Sequence, residues 1–150
     1  MTDQPRWPLE GVKVLDLGQI YNGPYAGFLL AHAGADVIKV EPLDGEVLRK
    51  RGGGLGAPFS LTMLNTNKRG ISINLKHPDG KQLLIDLVKE ADILLENFAP
   101  GAMDRLGLGS DALLREIPRL IYGSSTGYGL SGPDRDNLAM DLTVQAIGGV

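Results

Sequence analysis

The chain offers few groups for covalent or metal chemistry. It has two histidines, His32 and His77, and no cysteine. A thiol nucleophile, a disulfide framework and a thiolate metal site are therefore excluded. His32 falls inside a predicted helix and His77 just before another, with no His-x-x-x-His pair and no Asp/His grouping. No metal is expected from that pattern. Gly123-Ser124-Ser125-Thr126-Gly127 fits G-x-S-x-G, with Ser125 in the nucleophile position. Such an elbow must turn from strand into helix and needs a later histidine. Here a Gly/Pro loop follows, and both histidines come earlier, so the hydrolase reading is set aside.

Basic residues are the more informative set. Arg49-Lys50-Arg51 and Lys68-Arg69 fall within and at the end of a long loop, and Arg105 follows the Asn97-Phe98 pair. A solvated charge run is one reading. The other is phosphate binding, because guanidinium and ammonium groups pair with phosphate oxygens. Asn97 with Phe98 suits a nucleotide, offering an amide for hydrogen bonds and a ring for stacking. A dinucleotide cradle is disfavoured. The loop Gly18-Gln19-Ile20-Tyr21-Asn22-Gly23-Pro24 lacks G-x-G-x-x-G, and Pro24 removes an N–H from the helix start. Glu41 nonetheless stands where a ribose-binding acid would sit.

The elements that must position these residues follow from patterning. Val12-Lys13-Val14-Leu15-Asp16-Leu17 is apolar on both faces apart from Lys13 and Asp16, the mark of a buried parallel strand. A helix is predicted over 25–33, with Pro24 at its start and Gly34 after its end. A second strand over 36–41 completes a β-α-β unit, with a right-handed crossover expected. Residues 42–70 read as a mobile, functional loop around Gly52-Gly53-Gly54, Gly56 and Pro58. Strands are predicted over 71–75, 92–97 and 119–125, and helices over 78–91, 100–106, 110–116 and 140–147. Four glycine-bearing or polar strand ends, at 18–23, 42–45, 97–101 and 124–129, are candidate ligand loops. Tight strand-to-helix turns would require glycine equally. The expected class is α/β, with a mainly parallel sheet and flanking helices.

Composition agrees with that class. The 150 residues include 21 glycines, about twice the usual ~7%, without a collagen-like period. Hydrophobic residues make up 43% and charged residues 22%, which excludes disorder, and the net charge of -3 gives no support for a nucleic acid or an anionic membrane as partner. The polar start carries no signal-peptide core, and no apolar run approaches the ~20 residues of a membrane span. A cytoplasmic protein is expected. Residues 1–8 read as a flexible N-terminus and 9–150 as one domain. Because the chain stops directly after an apolar, helix-like stretch, it reads as a segment of a longer one.

Leu9-Glu10-Gly11-Val12-Lys13-Val14-Leu15-Asp16 with Gly23-Pro24, followed by Gly34-Ala35-Asp36-Val37-Ile38-Lys39-Val40-Glu41-Pro42, resembles the class III CoA-transferases, the CaiB/BaiF family. The likeness continues through Asn65-x-x-Lys68-Arg69, Leu75-Lys76-x-Pro78-x-Gly80 and Ala91-Asp92-Ile93-Leu94-Leu95-Glu96-Asn97-Phe98-x-Pro100-Gly101. It extends to Arg105-Leu106-Gly107, Gly127-Tyr128-Gly129, Gly132-Pro133 and Gln145-Ala146-x-x-Gly149.

The resemblance implies a Rossmann-like domain from an interlocked homodimer, and coenzyme A as the bound group with no metal. It implies acyl-CoA and carboxylic acid substrates. An aspartate attacks the thioester, forms a mixed anhydride and releases CoA, which then passes to the acceptor acid. By motif position Asn97, Phe98 and Arg105 match CoA-contacting residues. Ile20, Tyr21, Ile73, Asn74, Leu75 and Lys76 fall where the family meets the adenosine end. Some members carry an arginine where this chain has Pro42, and Arg49 or Arg51 is the substitute available. The nucleophilic aspartate is expected beyond residue 150. Asp141 matches a position used in acid/base chemistry by α-methylacyl-CoA racemase relatives, but their preceding histidine is Met140 here. A racemase-type isomerase and a non-catalytic CoA-binding fragment or subunit are the alternatives. A carboxylate in a pocket wall is the plain reading of Asp141.

Overall fold

The computed structural model describes residues 6–51 and 58–149. Gly52-Gly53-Gly54 with Gly56, the first five residues of the expected flexible N-terminus, and Val150 lie outside the described residues. Five strands, β1 (Lys13–Asp16), β2 (Asp36–Glu41), β3 (Arg69–Ser72), β4 (Ile93–Glu96) and β5 (Ile121–Ser124), pair in parallel in the order β3-β2-β1-β4-β5. The chain begins in the middle of the sheet, builds to one edge, then crosses to the other side of β1. That reversal opens a crevice beyond the carboxyl ends of β1 and β4, where open α/β sheets bind ligands.

Helices cover both faces. The strands alternate, so Leu15 and Val14 point to opposite sides. Leu15, Leu17 and Leu94 pack with Leu84 and Val88 of α3 (Pro78–Glu90), Met103 of α4 (Ala102–Leu106) and Leu113 of α5 (Ser110–Glu116). On the other face Val14 and Val37 pack with Ala31 of α1 (Asn22–His32). Leu84, Val88 and Leu94 are fully buried, each stabilising the fold by about 1.5–3 kcal/mol relative to exposure. The last helix, α6 (Asp141–Gly148), is exposed along its length. Among the described residues no helix is long and apolar enough to cross a membrane.

Two parts of the 42–70 stretch differ from expectation. A 3₁₀ turn (Val47–Lys50) and α2 (Phe59–Leu64) stand where the sequence predicts a loop. Only Leu48 of the turn, and Leu61 and Leu64 of α2, are buried, too few for a helical period to appear. The third strand is Arg69–Ser72 rather than 71–75. Its placement comes from pairing with β2, Ile38 opposite Arg69 and Glu41 opposite Ser72, and from a two-pronged Arg69–Asp36 contact at 2.9 and 2.5 Å. The ladder extends to the Ile73 N–H, which donates to the Glu41 carbonyl at 2.8 Å. Asn74 then ends it: its side-chain oxygen accepts from the Lys76 N–H (3.1 Å) and its carbonyl from the His77 N–H (3.1 Å). Ile73, Asn74, Leu75 and Lys76 thus form a loop at the sheet's carboxyl edge, not a strand.

Candidate functional site

The loop between β1 and α1 is held by side chains at five of its backbone polar groups. Asp16 Oδ1 accepts from the Gly18 N–H (2.8 Å), and Lys39 donates to the Gly18 carbonyl. Asn97 Oδ1 accepts from the Gln19 N–H (2.6 Å), while its Nδ2 donates to the Gln19 carbonyl (2.8 Å) and to Asn22 Oδ1 (2.6 Å). Glu46 Oε2 accepts from the Ile20 N–H at 3.0 Å. With these amides engaged, the loop cannot also present them to a pyrophosphate, which gives the missing G-x-G-x-x-G a structural counterpart. Asn97, a residue expected to touch CoA, ties the β1 and β4 loops together.

Close approach and strain mark the same loop. A Cβ on Gly18 would lie 2.7 Å from Gly23 Cα, so only glycine permits this turn. Ile20 has φ +63°, a left-handed conformation that is costly for a β-branched residue, on the order of 1–3 kcal/mol.

A buried charge network underlies the loop. Asp16 and Lys68 meet at 2.7 Å with side-chain exposures of 0% and 1%. Lys68 also donates to the Pro24 carbonyl (2.8 Å) and Asn65 Oδ1 (3.1 Å). Burial pushes the Lys68 ammonium below its ordinary pKa, and the Asp16 charge opposes that shift. Glu41 is gripped by Arg49 at 2.6 and 2.7 Å and accepts from the Glu46 N–H at 3.0 Å. The Arg49 hydrogen bonds hold the Glu41 carboxyl below its ordinary range, with burial pulling the other way. Arg49, offered above as a phosphate-binding substitute, is therefore engaged with Glu41. Patterning marks Asp16 as a charge in an apolar strand, but not its partners. Lys39 in a strand of apolar neighbours was the available signal; nothing in sequence spacing pairs position 16 with position 68.

Two cavities of about 420 Å³ each flank this loop, and both are lined by Gln19 and Phe98. Ile73, Asn74, Leu75 and Lys76 line the first, with Leu17, Val40 and Leu106 giving it an apolar floor. Ile20, Tyr21 and Asn97 line the second, with Arg51, Ser125 and Asp141. Arg105 lines neither; it is exposed on α4, beside Leu106. Asp141 opens α6 and accepts from Gln145 Nε2 at 3.0 Å.

The other candidates also find places. Ser125 Oγ accepts from Asn22 Nδ2 at 2.7 Å, and β5 runs into turns, with the next helix starting at Asp141. His77 caps α3, its Nδ1 accepting from the Asp79 N–H (3.3 Å), and His32 packs edge-on to Phe28. No group of three His, Cys, Asp or Glu that could hold a metal occurs among the described residues.

The family model for CoA-transferase family III matches residues 9–150. The chain belongs to CoA-transferase family III. One similar relative is the succinyl-CoA–L-malate CoA-transferase beta subunit of Chloroflexus aurantiacus, 40% identical over 146 residues, with 95% of this chain and 36% of that protein covered. Another is the formyl-CoA:oxalate CoA-transferase of Streptomyces avermitilis, 43% identical over 143 residues, covering 94% and 35% respectively. Among solved structures, a CaiB/BaiF family protein from Brucella suis superposes with a TM-score of 0.90 at 37% identity, covering 96% of this chain and 40% of that one. The chain thus spans little more than a third of these CoA-transferase family III relatives. The Rossmann-like sheet expected from the family resemblance is the one observed.

Proposed function

We propose that residues 9–150 form a CoA-binding unit of a CoA-transferase that moves CoA between an acyl-CoA thioester and a carboxylic acid. The observation that carries this reading is the pair of cavities meeting at Gln19 and Phe98. The positions implied by the family resemblance, Arg105 excepted, converge on them from three separate loops. The apolar first cavity suits an adenine ring against Phe98, with Lys76 supplying positive charge at its wall. The second cavity, with Arg51 and Asp141, suits the polar remainder and the acyl end, and Ile20 and Tyr21 are reassigned to it from the adenosine end implied by the family resemblance. Arg51 replaces Arg49 as the cation offered there, since Arg49 is committed to Glu41.

In this reading a carboxylate outside this stretch attacks the thioester carbonyl. The carbon–sulfur bond breaks, CoA leaves as thiolate and a mixed anhydride forms. The thiolate then attacks the enzyme's acyl carbon and releases the donor acid. The acceptor acid reverses the sequence, leaving as its CoA thioester with the enzyme carboxylate regenerated. The complete protein is an interlocked homodimer. Met140 before Asp141 carries no titratable group, which favours transfer over a racemase-type proton exchange. The complete gene product should exchange acyl groups between a CoA thioester and a free acid. Absence of exchange across a broad acid panel overturns the transferase reading. Deuterium wash-in at the α-carbon of a 2-methylacyl-CoA would replace it with the isomerase.

A further inference from the structure

We propose that Glu46 is a positioning residue that holds Ile20 and Tyr21 in the conformation shaping the second cavity. The claim rests on the reading of that cavity as part of the CoA site.

Glu46 is only 1% exposed, yet it lies in a loop just outside β2. Its Oε2 accepts from the Ile20 N–H at 3.0 Å, while Oε1 has no partner among the described residues. Burying a carboxylate with one oxygen unsatisfied opposes folding. That carboxylate is nevertheless aimed at the residue with the strained φ of +63°. The two unfavourable features thus meet in one hydrogen bond.

The bond belongs to a relay. Arg49 grips Glu41, Glu41 Oε2 accepts from the Glu46 N–H at 3.0 Å, and Glu46 holds Ile20. The relay joins the 3₁₀ turn preceding Arg51 to the β1–α1 loop. Arg51, Ile20 and Tyr21 line the same cavity. Without the Glu46 acceptor, Ile20 is free to relax to negative φ, which re-aims both its own side chain and that of Tyr21.

The test compares Glu46→Ala with Glu46→Gln in the complete gene product. It reads amide hydrogen exchange by mass spectrometry over residues 18–25 and calorimetric affinity for CoA. Glu46→Ala should speed exchange over 18–25 and weaken CoA binding about tenfold, as expected for one lost hydrogen bond. Exchange over 93–96, in β4, should be unchanged. Glu46→Gln keeps a carbonyl acceptor for the Ile20 N–H and should restore both readouts. Unchanged exchange in Glu46→Ala, acceleration extending into β4, or equal losses in the two variants would each overturn the assignment. Should Glu46→Ala not fold, it is combined with Ile20→Gly, because glycine takes positive φ without steric cost. A double variant that folds supports the role, and one that does not overturns it. A wild-type protein that fails to bind CoA removes the CoA reading, while the exchange comparison still decides whether Glu46 holds the loop.

Discussion

Asp16 and Lys68 form an ion pair hidden beneath the β1–α1 loop, so each is costly without the other. Replacing Lys68 by alanine leaves the Asp16 carboxylate uncompensated and should destabilise the protein by roughly 3–5 kcal/mol, read from denaturant unfolding. Gly27 belongs to the same unit: a Cβ there would lie 2.6 Å from Asp16 Oδ2 and 3.0 Å from Lys68 Nζ. Glu41 supplies a pH dependence. Its folded pKa is depressed by Arg49 below the ordinary 4.5, so its contribution is present above that value and lost as pH falls through the lower folded pKa. Arg49→Gln should therefore lower the thermal midpoint at neutral pH and flatten its fall on acidification, because the two proteins converge once Glu41 is protonated in both. An unchanged profile would mean the pair is not coupled to folding. Arg105 poses a different question, because it stands exposed outside both cavities. If its guanidinium meets a CoA phosphate at the solvent edge, Arg105→Ala should weaken CoA binding by roughly 1–3 kcal/mol by calorimetry. Unchanged affinity removes Arg105 from the site.

Among the elements, the strands do most to fix the geometry, and their legibility varied with burial. β2 was readable to its last residue because Val37 and Val40 sit among β-formers and Pro42 closes the run. β4 is paired on both sides, to β1 and β5; its apolar Ile-Leu-Leu core suits that interior place, and Leu94 within it is wholly buried. Leu94→Ala should cost about 2–5 kcal/mol in unfolding free energy. β3 starts two residues and ends three residues before the predicted 71–75, because Arg69 and Gly70 carry no strand signature; an edge strand tolerates them, and its register is set by long-range pairing with β2. α2 was missed for a related reason. Its six residues bury two side chains, and tertiary contact rather than periodicity holds it. The loops after β1 and β4 showed in the sequence, since Gly18, Gly23 and Asn97 mark their turns by residue type alone. Their hydrogen-bond partners did not, because Asn97 and Gln19 are brought together only by the adjacency of β1 and β4.

At the scale of the whole molecule, sequence order predicts a parallel α/β sheet but not which strands are neighbours. The observed order places β1 between β2 and β4, and that adjacency creates the crevice. It brings residues near positions 20, 75 and 98 to one edge, although they are scattered along the chain. The buried network then stiffens the loop that separates the two cavities, and Phe98 forms a wall common to both. The central claim is that this double cavity receives coenzyme A. Its most direct test is calorimetric titration of the complete gene product with CoA, in the wild type and in Phe98→Ala. The account predicts saturable binding to the wild type and a loss of about tenfold to a hundredfold in the variant, the worth of an aromatic stacking surface. Binding of CoA with the same affinity in both proteins would contradict it.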